Sequence, residues 1–271
     1  MTAARGTVGV IGLGLLGSAI AERLAGAGFD VAGDDCSEEA RRRFGGRTGA
    51  AAREAERIVL AVFDTADVEE VVEASKARIY VDCTTGDPER VEALAARLAR
   101  RGATYVEARI AGGADATRRG EVPVLVGGDA SGCEDILAAI SANRLHVGAA
   151  GMAARAKLAV NLVLGLGRAA VAEGMAFAGS QGIGRERFLE ILARTPAASP
   201  AGLRRGARMA SGDFRPESRI RQHLKDVHLM QQLSRAPLPL THAHERVLAA
   251  AVAAGDGDLD TAAIIRRWEN P

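Results

Sequence analysis

Lys157 and Asn161 stand four residues apart in a stretch, residues 153–178, that is otherwise almost unbroken apolar sequence of helical length. Four residues is about one helical turn, so the two side chains share a face. An ammonium and an amide on such a helix cost free energy unless they have partners or a task. As a task, Lys157 is a proton donor and acceptor whose pKa burial lowers toward neutrality, and Asn161 holds the amine or a substrate oxygen in place. As structure, Lys157 snorkels near the helix start and Asn161 bonds to backbone. Spacing alone leaves both open. Only Lys76, Lys157 and Lys225 are lysines among 35 basic residues. The chain takes arginine for ordinary positive charge, and lysine, whose amine can be tuned to titrate, is the exception.

A second constellation lies near the N-terminus. An apolar, β-branched run, residues 8–11, enters Gly12-Leu13-Gly14-Leu15-Leu16-Gly17, and a helical segment follows to about residue 27. A short strand, residues 30–33, then ends on Asp34-Asp35. This is a βαβ unit with a dinucleotide fingerprint. Gly12 allows the tight turn, Gly14 lets backbone approach a pyrophosphate, and Gly17 lets the helix pack close to the strand. The helix N-terminus offers N–H groups and a positive dipole end to the phosphates. Asp35 is placed to grip the ribose 2′-hydroxyl, which favours NAD over the 2′-phosphate of NADP by like-charge repulsion. Arg41, Arg42 and Arg43 lie close by and leave NADP possible, although a charged helix face is their simpler role. Arg5 followed by the apolar run also resembles a secretory leader, but cleavage near residues 19–21 would destroy the βαβ unit.

The elements that must position these groups follow in order. Helical segments over residues 37–44, 67–74, 89–101 and 135–142 alternate with strands over 58–62, 79–81, 104–106 and 122–127. The alternation predicts a Rossmann-type, doubly wound parallel sheet whose ligands bind beyond the strand C-terminal ends. From about residue 151 the strand pattern stops, and helical segments follow at 153–178, 186–194, 202–209, 220–234, 242–254 and 261–268. The expected organisation is an α/β nucleotide-binding domain over 1–150 and an all-helical substrate and oligomerisation domain over 151–271.

Composition narrows the function. Of 271 residues, 48% are hydrophobic and 25% charged, as in globular proteins, and with 3% aromatics the core must rest on Ala, Val, Leu and Ile. A net charge of +1 argues against nucleic acid or an anionic membrane as the main partner. No apolar run is expected to reach a membrane span. Cys36, Cys83 and Cys133 are scattered, without CxxC or histidine pairing, and read as reduced cytoplasmic thiols rather than a disulfide frame or metal site. His223 and His228 are five apart, His242 and His244 two apart; neither is the spacing of a helical zinc pair, and each is expected to be satisfied or on the surface.

Four separated motifs together resemble the β-hydroxyacid dehydrogenase family, which includes 3-hydroxyisobutyrate dehydrogenase and tartronate semialdehyde reductase. They are the glycine loop; Glu107-Ala108-Arg109-Ile110-Ala111-Gly112-Gly113, similar to the family's Asp-Ala-Pro-Val-Ser-Gly-Gly; Gly148-x-x-Gly151 followed by Lys157 and Asn161; and Lys225-Asp226. The resemblance implies that Lys157 is the acid/base, that Asn161 assists it, and that Gly112 and Gly113 offer N–H groups to a substrate carboxylate. It implies that Lys225 contacts substrate or nicotinamide ribose, that Thr85 contacts the cofactor, and that Val62-Phe63 takes the place of a Leu-Pro loop beside it. Where the family has serine this chain has Ala111, and where it has proline this chain has Arg109. Arg109 is then either a replacement anchor for the substrate carboxylate or a solvated loop charge. The implied activity is hydride transfer between NAD(P) and a small 3-hydroxy acid or semialdehyde, between the two domains, in a homodimer or homotetramer. Two other functions fit the fold. An imine reductase-like activity is opposed by Lys157, and a dinucleotide-binding sensor without turnover is favoured by Ala111.

Overall fold

The computed structural model describes residues 6–269. Arg5, the charge of the leader reading, lies outside them, as do the outermost residues of both expected domains. The chain divides into two compact units, the first ending at Leu158 and the second beginning at Ala159.

The first unit is built on an eight-stranded sheet: β1 (Thr7–Ile11), β2 (Asp30–Asp34), β3 (Arg47–Thr48), β4 (Arg57–Leu60), β5 (Ile79–Asp82), β6 (Thr104–Ile110), β7 (Val124–Gly127) and β8 (Arg144–Gly148), in the order β3-β2-β1-β4-β5-β6-β7-β8. The first six strands are parallel, as expected, but β7 runs antiparallel to β6 and β8 follows β7. The link from β6 to β7, residues 111–123, holds only the short helix Ala114–Arg118, and the chain turns back to pair Ile110 with Val124 instead of crossing over.

Period-two alternation divides the strands between two cores. Val8, Val10, Val59, Val81, Val106, Ala108 and Ile110 pack on one face with helix Leu15–Gly26. Ile58, Leu60, Tyr80 and Tyr105 pack on the other with helices Thr65–Glu73 and Pro88–Arg100. The helices start on local caps: Ser37, Asp64 and Asp87 each accept first-turn backbone N–H groups.

The second unit is helical: Arg185–Leu192, Pro200–Ser211, Ile220–Leu233 and Pro239–Ala253, with a closing 3-10 turn Thr261–Ile265 and helix Arg266–Glu269. Asp260, fully buried, accepts Arg205 through both oxygens at 2.7 and 2.8 Å, and takes N–H groups of Glu217, Ser218 and Ala262. The helix Met152–Ser180 passes from the first unit into the second. By length and composition it is long and apolar enough to cross a membrane, contrary to the expectation above. Lys157, Asn161, Gly165, Arg168, Ala172 and Met175 recur at helical spacing on one face, and apart from the half-buried Asn161 all are buried. Val160, Val163, Gly167, Ala170 and Phe177 form an exposed stripe on another.

Candidate cofactor and active site

In register, Ile11 pairs with both Asp34 and Leu60, and Leu60 with Asp82. The parallel strands β2, β1, β4 and β5 therefore end level, and the loops carrying Asp35, the glycine triplet, Val62-Phe63 and Thr85 leave the sheet at one edge. Strand order reverses about β1, which makes this edge the switch point of the sheet. Gly12 has φ +92°, and a Cβ there would stand 2.3 Å from the Ala61 carbonyl oxygen; a Cβ on Gly17 would stand 1.7 Å from that of Gly12. Both glycines are demanded by the protein's own backbone. Gly14 is different. A Cβ there meets no protein atom within 4 Å, although Gly14 is the N-cap of helix Leu15–Gly26 and supplies no capping side chain. A small residue that the fold itself does not require, at a helix N-terminus, fits a cradle for a dinucleotide pyrophosphate.

The half-buried Asp35 accepts the Leu13 N–H at 2.6 Å through Oδ2 and the Ser37 N–H at 2.8 Å through Oδ1, which braces the glycine loop against the end of β2. Asp34 is committed elsewhere: it is buried and ion-paired to Arg53 at 2.7 Å. Arg42 and Arg43 pair with Glu38 and Glu39 along their helix, whereas Arg41 turns back to the Asp35 carbonyl oxygen. Val62 N–H donates to Thr84 Oγ1 at 3.1 Å, tying the β4 and β5 loops together; Phe63 is exposed and Thr85 half-buried.

Arg109 is enclosed in the sheet. It is neither a substrate anchor nor a solvated charge, because β6 continues through Ile110 and leaves the Arg109 side chain 0% exposed. Tyr105, Glu107 and Arg109 alternate with Val106, Ala108 and Ile110, so the three polar groups share one sheet face. Arg109 donates to Asp82 Oδ2 at 2.6 Å, to Glu107 Oε1 at 3.1 Å and to the Thr84 carbonyl. Asp82 also accepts the Thr84 N–H at 2.8 Å and the Tyr105 hydroxyl. Although burial opposes its charge, the flanking Asp82 and Glu107 hold the Arg109 guanidinium above its ordinary pKa, and burial beside Asp82 pushes the Tyr105 phenol well up. Beyond β6, the Ala111 N–H is taken by the Pro123 carbonyl at 2.8 Å, Gly112 is exposed, and Gly113 is buried as the N-cap of the next short helix.

Lys157 is buried, 7% exposed, on the first turns of the long helix. Asn161 Nδ2 donates to Asp226 Oδ2 at 2.9 Å, and Lys225 Nζ lies 3.3 Å from Asp226 Oδ1. Asp226 thus ties Asn161 to Lys225 within the second unit. Asp226 belongs to the Lys225-Asp226 motif, but its bond to Asn161 has no signal in the sequence, because only the fold brings residues 161 and 226 together. A further surprise is a buried histidine pair: His223 and His244 approach at 3.1 Å between Nε2 atoms beside Gly165. Burial, with the Arg168 guanidinium nearby, pulls His244 down to about 4, and burial pulls Arg168 itself down to about 10. Cys83 and Cys133 are buried thiols, Cys133 pushed up to about 12 by burial; Cys36 is exposed.

Comparison with known proteins converges on one family. Residues 7–148 match the model described as the NAD binding domain of 6-phosphogluconate dehydrogenase, and residues 151–268 that described as NAD-binding of NADP-dependent 3-hydroxyisobutyrate dehydrogenase. L-threonate dehydrogenase of Cupriavidus necator is 30% identical over 281 residues, spanning 96% of this chain and 95% of that protein. Cytokine-like nuclear factor N-PAC of Aedes aegypti is 29% identical over 194 residues, which is 69% of this chain but 35% of that protein. The crystal structure of a 3-hydroxyisobutyrate dehydrogenase from Salmonella typhimurium matches with a TM-score of 0.85 at 26% identity, over 96% of this chain and 99% of that one.

Proposed function

Since the chain belongs to the β-hydroxyacid dehydrogenase family, we propose that Lys157 is the general acid/base of a hydride transfer between a nicotinamide and a small 3-hydroxy acid or its semialdehyde. The chain is an NAD(P)-dependent oxidoreductase. The observation that carries the residue assignment is the buried amine of Lys157 one turn from an asparagine that is itself held by a buried carboxylate.

NAD(P), when bound, supplies the hydride acceptor in oxidation and the hydride donor in reduction. Lys157 as neutral amine takes the substrate hydroxyl proton in oxidation; as ammonium it gives a proton to the carbonyl oxygen in reduction. Asp226 fixes the Asn161 amide through Nδ2, which leaves its carbonyl oxygen to orient the amine or substrate. Gly112 and Gly113 present backbone to the substrate carboxylate. Ala111 has no hydroxyl and Arg109 is enclosed in the sheet, so neither adds a donor to that carboxylate; Lys225 is assigned to substrate or nicotinamide ribose. The glycine loop, Asp35, Val62, Phe63 and Thr85 hold the cofactor, and Asp35 favours NAD.

The exposed stripe Val160-Val163-Gly167-Ala170-Phe177 is assigned to a second copy of the chain. Val163 and Phe177 are 69% and 68% exposed on a helix where small residues between them permit close helix packing. The test is nicotinamide absorbance with NAD or NADP and a panel of hydroxy acids that includes 3-hydroxyisobutyrate and L-threonate, together with the semialdehydes. Turnover with any member supports the assignment; silence across the panel, with NADH still bound, opposes it.

A further inference from the structure

The long helix begins without a cap of its own. The Gly151 carbonyl accepts the first helical bond, from Arg155 N–H at 3.1 Å, so Gly151 is the N-cap and Ala154 the N3 residue. In a capping box these two residues satisfy each other's N–H groups through their side chains. A glycine and an alanine can do neither. Both N–H groups are instead taken by one carboxylate from the sheet: Glu107 Oε2 accepts Gly151 N–H at 2.5 Å and Oε1 accepts Ala154 N–H at 2.8 Å. Glu107 is 0% exposed and is gripped from behind by Arg109. The strand opposite makes room for it. Gly127 pairs in register with Glu107, and a Cβ on Gly127 would stand 2.6 Å from Glu107 Oε2.

We infer that Glu107 is a positioning residue for the reaction, fixing the start of the helix that carries Lys157 to the same strand that leads into Ala111–Gly113. The inference rests on the reading of Lys157 as acid/base. Lys157 follows Ala154 by three residues, within one turn of the second Glu107 bond, so a shift or rotation at the cap moves the amine. The proline-to-arginine departure at residue 109 then has a purpose inside the sheet. Arg109 joins Asp82, whose neighbour Thr84 holds the cofactor-side loop at Val62, to the carboxylate that holds the helix. Strand β5, strand β6 and the helix start thereby share one buried ionic link.

The test compares Glu107→Gln, Glu107→Asp, Gly127→Ala and Lys157→Met in the full chain, on whichever panel substrate turns over. Glu107→Gln keeps one acceptor oxygen and turns an amide N–H₂ toward the other N–H donor. Its kcat is expected to fall roughly 10²-fold, the scale of a misplacement near 1 Å, while substrate KM and NADH affinity stay within about twofold. Glu107→Asp keeps both acceptors at shorter reach and is expected to recover part of that kcat. Gly127→Ala displaces the carboxylate with every charge intact, and carries the test if Glu107→Gln does not fold; the same loss of kcat at unchanged KM is expected. Wild-type kcat in folded Glu107→Gln and Gly127→Ala, with Lys157→Met inactive, overturns the inference alone. Turnover by Lys157→Met overturns the acid/base reading first, and the positioning of Lys157 with it.

Discussion

Replacing Arg109 with methionine separates two accounts of the same residue. If Arg109 anchors substrate, the variant binds substrate weakly and melts normally. In the structure, however, methionine would leave two buried carboxylates, Asp82 and Glu107, without their shared cation. Asp82 keeps its bonds from Thr84 N–H and Tyr105, and Glu107 keeps those from Gly151 and Ala154, so neither is wholly abandoned. Removing one partner of a buried ion pair typically costs about 3–5 kcal/mol. For a protein of this size that is a fall in melting temperature of roughly 10 °C. Substrate KM should stay within about twofold of wild type, because no atom of Arg109 reaches solvent. Neutralising the acids as well, in Arg109→Met/Asp82→Asn/Glu107→Gln, should restore much of the stability, since a buried ionic cluster is worth little against neutral packing. Thermal melts and steady-state kinetics on the same preparations decide the matter. A variant that melts within about 1 kcal/mol of wild type and raises KM tenfold would refute the enclosed-hub account.

Three further outcomes follow from other parts of the molecule. Asp35→Ala should relax discrimination against NADP roughly tenfold in kcat/KM, and an unchanged NAD/NADP ratio would remove Asp35 from the ribose site. His244 has its folded pKa lowered to about 4 from an ordinary 6.5. Its unfolded form thus binds the extra proton, and the stability it contributes is complete above about pH 6.5 and lost as the pH falls toward 4. By pH 5 the loss should reach about 2 kcal/mol in denaturant titrations, and His244→Phe should flatten that slope; an unaltered slope would contradict it. Val163→Asp should convert an oligomer to smaller species by light scattering with the helical circular dichroism retained, whereas an unchanged mass would place the subunit contact elsewhere.

Much of this was legible in the sequence because local chemistry and fold agree there. The βαβ unit announces itself through a β-branched run, three glycines with different mechanical demands and an acid at the next strand end. Lys157 and Lys225 stand out because the chain otherwise uses arginine, and Asn161 because it interrupts an apolar helical stretch one turn after Lys157. What was hidden depends on partners far apart in the chain. Strand β8 has three exposed residues at its start and so lacks the apolar alternation that marks a strand. Strand β3 and the helix Ala50–Arg53 occupy a glycine-rich stretch that reads as a turn. Arg109 reads as a loop residue because it lies beyond residues 104–106, the stretch that reads as a strand. Its alternation with Val106, Ala108 and Ile110 was the available signal, and it places Glu107 and Arg109 on one face. The His223–His244 pair joins two helices and has no signature in spacing along either one.

Lys157 is assigned as the group that moves the proton. With a substrate found in the panel, Lys157→Met is to be assayed for turnover and, on the same sample, for NADH binding by fluorescence. Turnover is expected to fall by several orders of magnitude with NADH affinity near that of wild type. Turnover within about tenfold of wild type, with the protein folded, would contradict it.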